Sequence, residues 1–258
     1  MRSLDAWRIL PHVSLEQLCV DDGGRPVTAP QLTPFRRGWY SFDLGQYRPC
    51  DGTYCLSPYE DLPPVPAPDE SLAWLGPLDE RTDQQMQIHR DRQVASGKLD
   101  QIVASAQRLG LTLPPSFLRL MGSPELQERI PSCTACYFSL SNDIILCPGS
   151  EQGYIVRFLN DQQEVLLWYL YLTPSGEQRV LVSPFMLDEV AQGEPMNEQT
   201  RQAVIDNTFE CAPTFAEFIY RFWLENVIWF KLNDTAASLT PDEQTYVTHY
   251  ENQNGAGH

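Results

Sequence analysis

The residues best suited to chemistry are Cys133 and Cys136, spaced as Cys-Thr-Ala-Cys, with Cys147 following. Two cysteines at this spacing can form half of a tetrahedral zinc site or act as a redox dithiol. A closed zinc site needs a fourth ligand, which only Cys211 or a distant histidine would supply. A thiol-exchange pair sits at a helix N-terminus after a strand, whereas this pair precedes a strand. The expectation is three buried structural thiols and no metal. Cys50 and Cys55 lie in a glycine-containing loop and read at most as a transient pair. His12, His89, His249 and His258 are scattered, and the nucleophile-elbow, HExxH, phosphate-loop and GxGxxG patterns are all missing. The carboxylate pairs Asp21/Asp22, Asp188/Glu189 and Asp242/Glu243 fall in turns or first helical turns, where solvent exposure and the helix dipole account for them. No catalytic residue and no cofactor is expected.

The elements that would position any site centre on residues 153–183. Tyr154, Val156 and Phe158 alternate with their neighbours, residues 160–163 interrupt, and 165–172 is an unbroken apolar and aromatic run. Pro174 and Gly176 mark a second reversal before a third strand at 179–182, so the segment reads as an antiparallel meander. A strand apolar on both faces must be covered on both, which makes 165–172 the central strand. Leu99, Ile102, Val103, Ala106 and Leu109 follow helical spacing and are stopped by Gly110. Short helices are expected over 116–121 and from Pro124, with Ser123 as cap, and strands at 137–140 and 144–146 across a turn at 141–143. Thr214 and Glu217 open a long aromatic helix through Phe215, Phe218, Ile219, Phe222, Asn226, Val227 and Phe230. A second capping pattern, Thr240 to Glu243, starts a terminal helix carrying Val247 and Tyr250.

Four regions follow from composition. Residues 1–56 read as an irregular β-rich module with pieces at 7–10, 15–20 and 39–44. Residues 57–80, with Pro58, Pro63, Pro64, Pro66, Pro68 and Pro77 among acids, read as a linker. Residues 81–250 form the main α+β domain, and 251–258 a disordered tail. No leader peptide is read in the first 20 residues, no run is long enough to cross a bilayer, and seven cysteines do not resemble a disulfide framework, so a cytoplasmic location is expected.

Over its 258 residues the chain carries a net charge of −16. Residues 151–258 hold 16 acidic and 5 basic side chains, net −11, against 18 acidic and 13 basic, net −5, in residues 1–150. That sign disfavours nucleic acid and anionic membranes and suits a basic partner.

The series Leu111-Thr-Leu-Pro-Pro-Ser-Phe-Leu118, the strand Tyr154 to Phe158, the strand Trp168-Tyr-Leu-Tyr-Leu172 and the helix opening Ala212-Pro-Thr-Phe215 resembles the SUKH superfamily, the Smi/Knr-like proteins, over about residues 95–232. The resemblance implies an α+β fold, a mainly antiparallel sheet covered by helices, and no known catalytic residues. It implies a non-catalytic protein-binding function, in bacterial members often that of an immunity protein neutralising a toxin, commonly a nuclease. The expected contact residues, chosen from polarity, are Glu194, Glu198 and Asp206. The alternative is an enzyme or small-ligand binder with a pocket between the N-terminal module and the sheet, lined by Trp39, Tyr40, Tyr47 and Tyr54.

Overall fold

The computed structural model describes residues 33–86, 98–191 and 196–255. Its elements in order are β1 (Arg36–Ser41), β2 (Cys55–Pro58), α1 (Glu80–Met86), α2 (Leu99–Leu109), α3 (Pro115–Met121), α4 (Pro124–Gln127), β3 (Tyr137–Phe138) and β4 (Ile145–Leu146). They continue with β5 (Tyr154–Asn160), β6 (Leu167–Leu172), β7 (Gln178–Ser183), α5 (Leu187–Val190), α6 (Glu198–Asn207), β8 (Phe209–Ala212), α7 (Phe215–Leu232) and α8 (Pro241–Gly255). The fold is α+β. An open sheet runs β2-β1-β8-β7-β6-β5-β3, with β4 also on β5, and every pairing is antiparallel except that of β1 with β8.

The meander forms as its residues dictate: β6 lies between β5 and β7 and is buried along its whole length. Its side chains divide between the two faces. Trp168, Leu170 and Leu172 join Phe117, Phe158, Phe215, Phe218 and Phe222 beneath α3 and α7. Leu167, Tyr169 and Tyr171 join Leu181, Leu187 and Val204 beneath α5 and α6. A bulge between Arg157 and Leu159 breaks the strict alternation of β5, so Phe158 and Leu159 both enter the first cluster. There Phe158 meets Phe215 at 5.0 Å between ring centroids and Phe218 at 5.5 Å, both edge-on. Edge-to-face contact is the preferred aromatic geometry and adds to simple area burial.

The caps read from the sequence are in place. Ser123 accepts from the Leu126 amide and Thr214 from the Glu217 amide. Thr240 and Glu243 form the full reciprocal box, with Thr240 N donating to Glu243 at 2.8 Å. Gly110 ends α2 in the left-handed region at φ 66°, where a side chain would be strained.

Several expectations change. β3 and β4 do not pair across a turn; both pair with β5, one after the other, as an interrupted edge strand. β1 and β2 extend the main sheet rather than forming a module that ends at residue 56, because β1 adds in parallel to β8 with Arg36 opposite Phe209. Pairing across so many residues leaves no local trace. The 57–80 stretch is a strap rather than a spacer: Leu62, Leu72 and Leu75 are buried between its prolines. Prolines forbid a helix interior or central strand, yet they do not stop an extended chain from burying the residues between them. Trp74 of this strap lies 5.5 Å from Trp223 of α7, and Glu70 accepts from the Ser116 amide at the start of α3. Residues 251–255 continue α8 rather than belonging to a disordered tail. The strand pieces at 7–10 and 15–20 lie outside the described residues.

Candidate functional site

The chemistry-bearing side chains fall into three groups. The first is the cysteines. Cys133 borders the cluster between α7 and α8, Cys136 lies in the cluster under α7, and Cys147 lies in the cluster on the opposite face of the sheet. They do not converge. Burial pushes all three thiols up, that of Cys136 to about 11, where the Tyr54 hydroxyl at 3.5 Å and the Thr134 hydroxyl at 3.3 Å are its neighbours. Such thiols are inert at neutral pH. Cys50 and Cys55, read as a transient pair, are joined in a disulfide.

The second group was missed from sequence and is the largest buried polar assembly described. Arg48, in the loop after β1, reaches Glu225 on α7 with two bonds, 2.7 and 2.9 Å, and donates to the Tyr250 hydroxyl on α8 at 2.7 Å. Glu225 also accepts from Trp39 Nε1 at 3.0 Å and Tyr246 at 2.7 Å. Arg221, one turn away, donates to Tyr246 and to the Pro63 carbonyl. Burial alone would raise the Glu225 carboxyl, but the Arg48 charge with its hydrogen bonds, then Tyr246 and Arg221, hold it below the usual range. A charge so enclosed is tied to other protein groups, which suits a clamp on α7 and α8 rather than a reaction centre. A glutamate between Leu224 and Asn226 in an aromatic helix was the available signal. Asn226, placed on the apolar stripe by spacing, is fully buried and accepts from the Cys133 amide at 2.7 Å.

All four aromatics named for a pocket contribute to packing or to this clamp. Trp39 bonds Glu225, Tyr40 meets Phe209 edge-on at 5.8 Å, and Tyr54 packs on Trp168 and donates to Asp161 at 2.7 Å. Tyr47 packs against the cluster between α7 and α8.

The third group is the exposed acids of the C-terminal part. All five cations of residues 151–258 are matched to carboxylates: Arg157 to Asp188, Arg179 to Glu210, Arg201 to Glu198, Arg221 to Glu217 and Lys231 to Glu243. Glu151, Glu164, Glu177, Glu189, Asp206 and Asp242 are exposed and join no ion pair among the described residues. Glu198 and Asp206 both lie on α6 and are exposed, whereas Glu194 lies outside the described residues. Glu198 stands in the first turn, where the helix dipole favours an acid, and its nearest cation, Arg201, is 3.9 Å away. Asp206 stands in the last turn, where the dipole disfavours one, and its carboxylate accepts from Gln202 at 2.9 Å. Its negative charge there does nothing for the helix.

Compared with family models, curated proteins and solved structures, the chain matches none. Fold and site therefore rest on the residues themselves. Among the described residues no helix is long and apolar enough to cross a membrane.

Proposed function

We propose that this is a non-catalytic protein-binding module that engages a basic partner through the carboxylate surface of its C-terminal part, as an immunity-type inhibitor of a basic, nuclease-type toxin. The observation that carries this reading is the matching of every cation in residues 151–258 to a carboxylate, which leaves the remaining exposed acids uncompensated. A surface of one sign costs stability through self-repulsion and gains fast, selective encounter with an oppositely charged partner. A nuclease must hold phosphate and presents cations at its site, so it is such a partner. The SUKH resemblance supports the same reading, and the setting it implies is the cytoplasm of the cell that also encodes the toxin.

Affinity capture from the native host tests it, run with the unaltered chain and with a Glu189→Lys/Asp206→Lys variant, two exposed acids without an ion pair. The reading expects a basic protein, encoded beside this chain, retained by the first and lost or much reduced with the second. Recovery of no protein partner, together with turnover of a small molecule by the purified chain, would reject it.

A further inference from the structure

The Cys50–Cys55 disulfide takes no part in the proposed contact surface. It closes a short ring, with a sequence separation of 5, in the loop between β1 and the edge strand β2. Both residues are part-exposed, as is the unpaired Cys133, while Cys136, Cys147 and Cys211 are buried. Among the described cysteines, this pair is both bonded and reachable by a thiol.

The loop is anchored on both sides of the ring without help from the sulfurs. Before it, Arg48 is held by Glu225 and by the Phe42 carbonyl, its own carbonyl accepts from the Leu44 amide, and Asp43 accepts from the Gly45 and Cys50 amides. Within it, Tyr54 is held by Asp161, and at its far end Ser41 donates to the Cys55 carbonyl at the hairpin pair next to the loop. Opening the ring therefore frees residues 51–53, Gly52 among them, and loosens the start of β2, while the Asp43, Arg48, Tyr54 and Ser41 anchors stay in place. A disulfide closing so short a loop removes less entropy from the unfolded chain than one closing a long loop, and with both ends of the loop held by other bonds its loss is compatible with a folded protein. Such bonds in reducing compartments are transient and redox-sensing rather than structural.

We propose that Cys50–Cys55 is a reversible redox switch on the sheet edge, which orders the β1–β2 loop and β2 when oxidised and loosens them when reduced, the rest of the fold being unchanged. The reductant is a thiol of the glutathione class. One thiolate attacks a sulfur of the pair, forming a mixed disulfide and expelling the other cysteine as thiolate. A second thiol attacks the mixed disulfide, so both cysteines end as thiols and two reductant molecules leave as one disulfide. Two electrons and two protons pass to the protein.

The test equilibrates the full chain in buffers of varied reduced-to-oxidised glutathione ratio, reads the free thiols by alkylation and mass spectrometry, and follows amide hydrogen exchange. The switch requires reversible conversion of this pair and several-fold faster exchange over residues 50–58 in the reduced state, with α7 unchanged. A Cys50→Ser/Cys55→Ser variant should exchange like the reduced chain and ignore the ratio. A bond that persists in excess reduced glutathione, equal exchange in the two states, or loss of α7 protection on reduction would overturn the proposal, the last by making the bond a staple of the whole fold.

Discussion

Arg48 grips Glu225 with both guanidinium ends, at 2.7 and 2.9 Å, across 177 residues of sequence. Glu225 is wholly buried and the Arg48 side chain is 10 % exposed. Breaking one half of such a pair leaves an uncompensated buried charge, which costs about 3–5 kcal/mol. Glu225→Gln should therefore lose stability of that order in chemical denaturation. Arg48→Met/Glu225→Gln removes both charges; the amide oxygen can keep the Trp39 bond while the Tyr246 hydroxyl turns to accept from the amide NH2, so it should be more stable than Glu225→Gln alone.

The same pair sets an acid limit. Because the Glu225 carboxyl is held below the ordinary range in the folded chain, the unfolded chain binds its proton first as pH falls. Its contribution is fully present above the unfolded value of about 4.3 and is lost as pH drops through the lower folded value. The unaltered chain should destabilise more steeply below that pH than the double variant Arg48→Met/Glu225→Gln, measured by denaturation midpoints over a pH series.

Trp168 is 3 % exposed and Phe222 is 5 % exposed, and their rings meet at 6.3 Å where β6 faces α7. Truncating a large buried aromatic costs about 3–5 kcal/mol in lost transfer energy and cavity. Trp168→Ala and Phe222→Ala should each cost about that much. Because the residues touch, the double variant should cost less than the sum of the two. Full additivity would mean that the helix and strand do not share this core.

Much of this architecture was legible because it is periodic. Residues 99–109 repeat at helical spacing up to a glycine, and β6 is apolar without interruption, so each specifies its own element and the need for cover. The pairing of β1 with β8 was not legible, because a parallel contact between distant segments is decided by which edge remains open once the meander has formed. The strap over 57–80 was hidden because proline announces what a segment cannot be and says nothing of where its leucines go. The Arg48–Glu225 clamp was hidden because isolated charges read as surface, and its one trace was a glutamate between Leu224 and Asn226 in an aromatic-rich helix. Of the contact residues, Glu198 and Asp206 were placed on the surface by polarity alone, and the set of exposed acids without an ion pair emerged once each cation of residues 151–258 was seen to have its carboxylate.

The central claim, association driven by uncompensated carboxylates, is tested most directly by the association rate with the basic protein encoded beside this chain, measured against ionic strength. Exposed charges are screened beyond about 8–10 Å at physiological salt, so a steered encounter slows as salt rises. The account predicts a steep fall in on-rate from low to high salt, with a much smaller change in off-rate, and a shallower salt dependence for Glu189→Lys/Asp206→Lys. A salt-independent on-rate, or no binding at low salt, would contradict it.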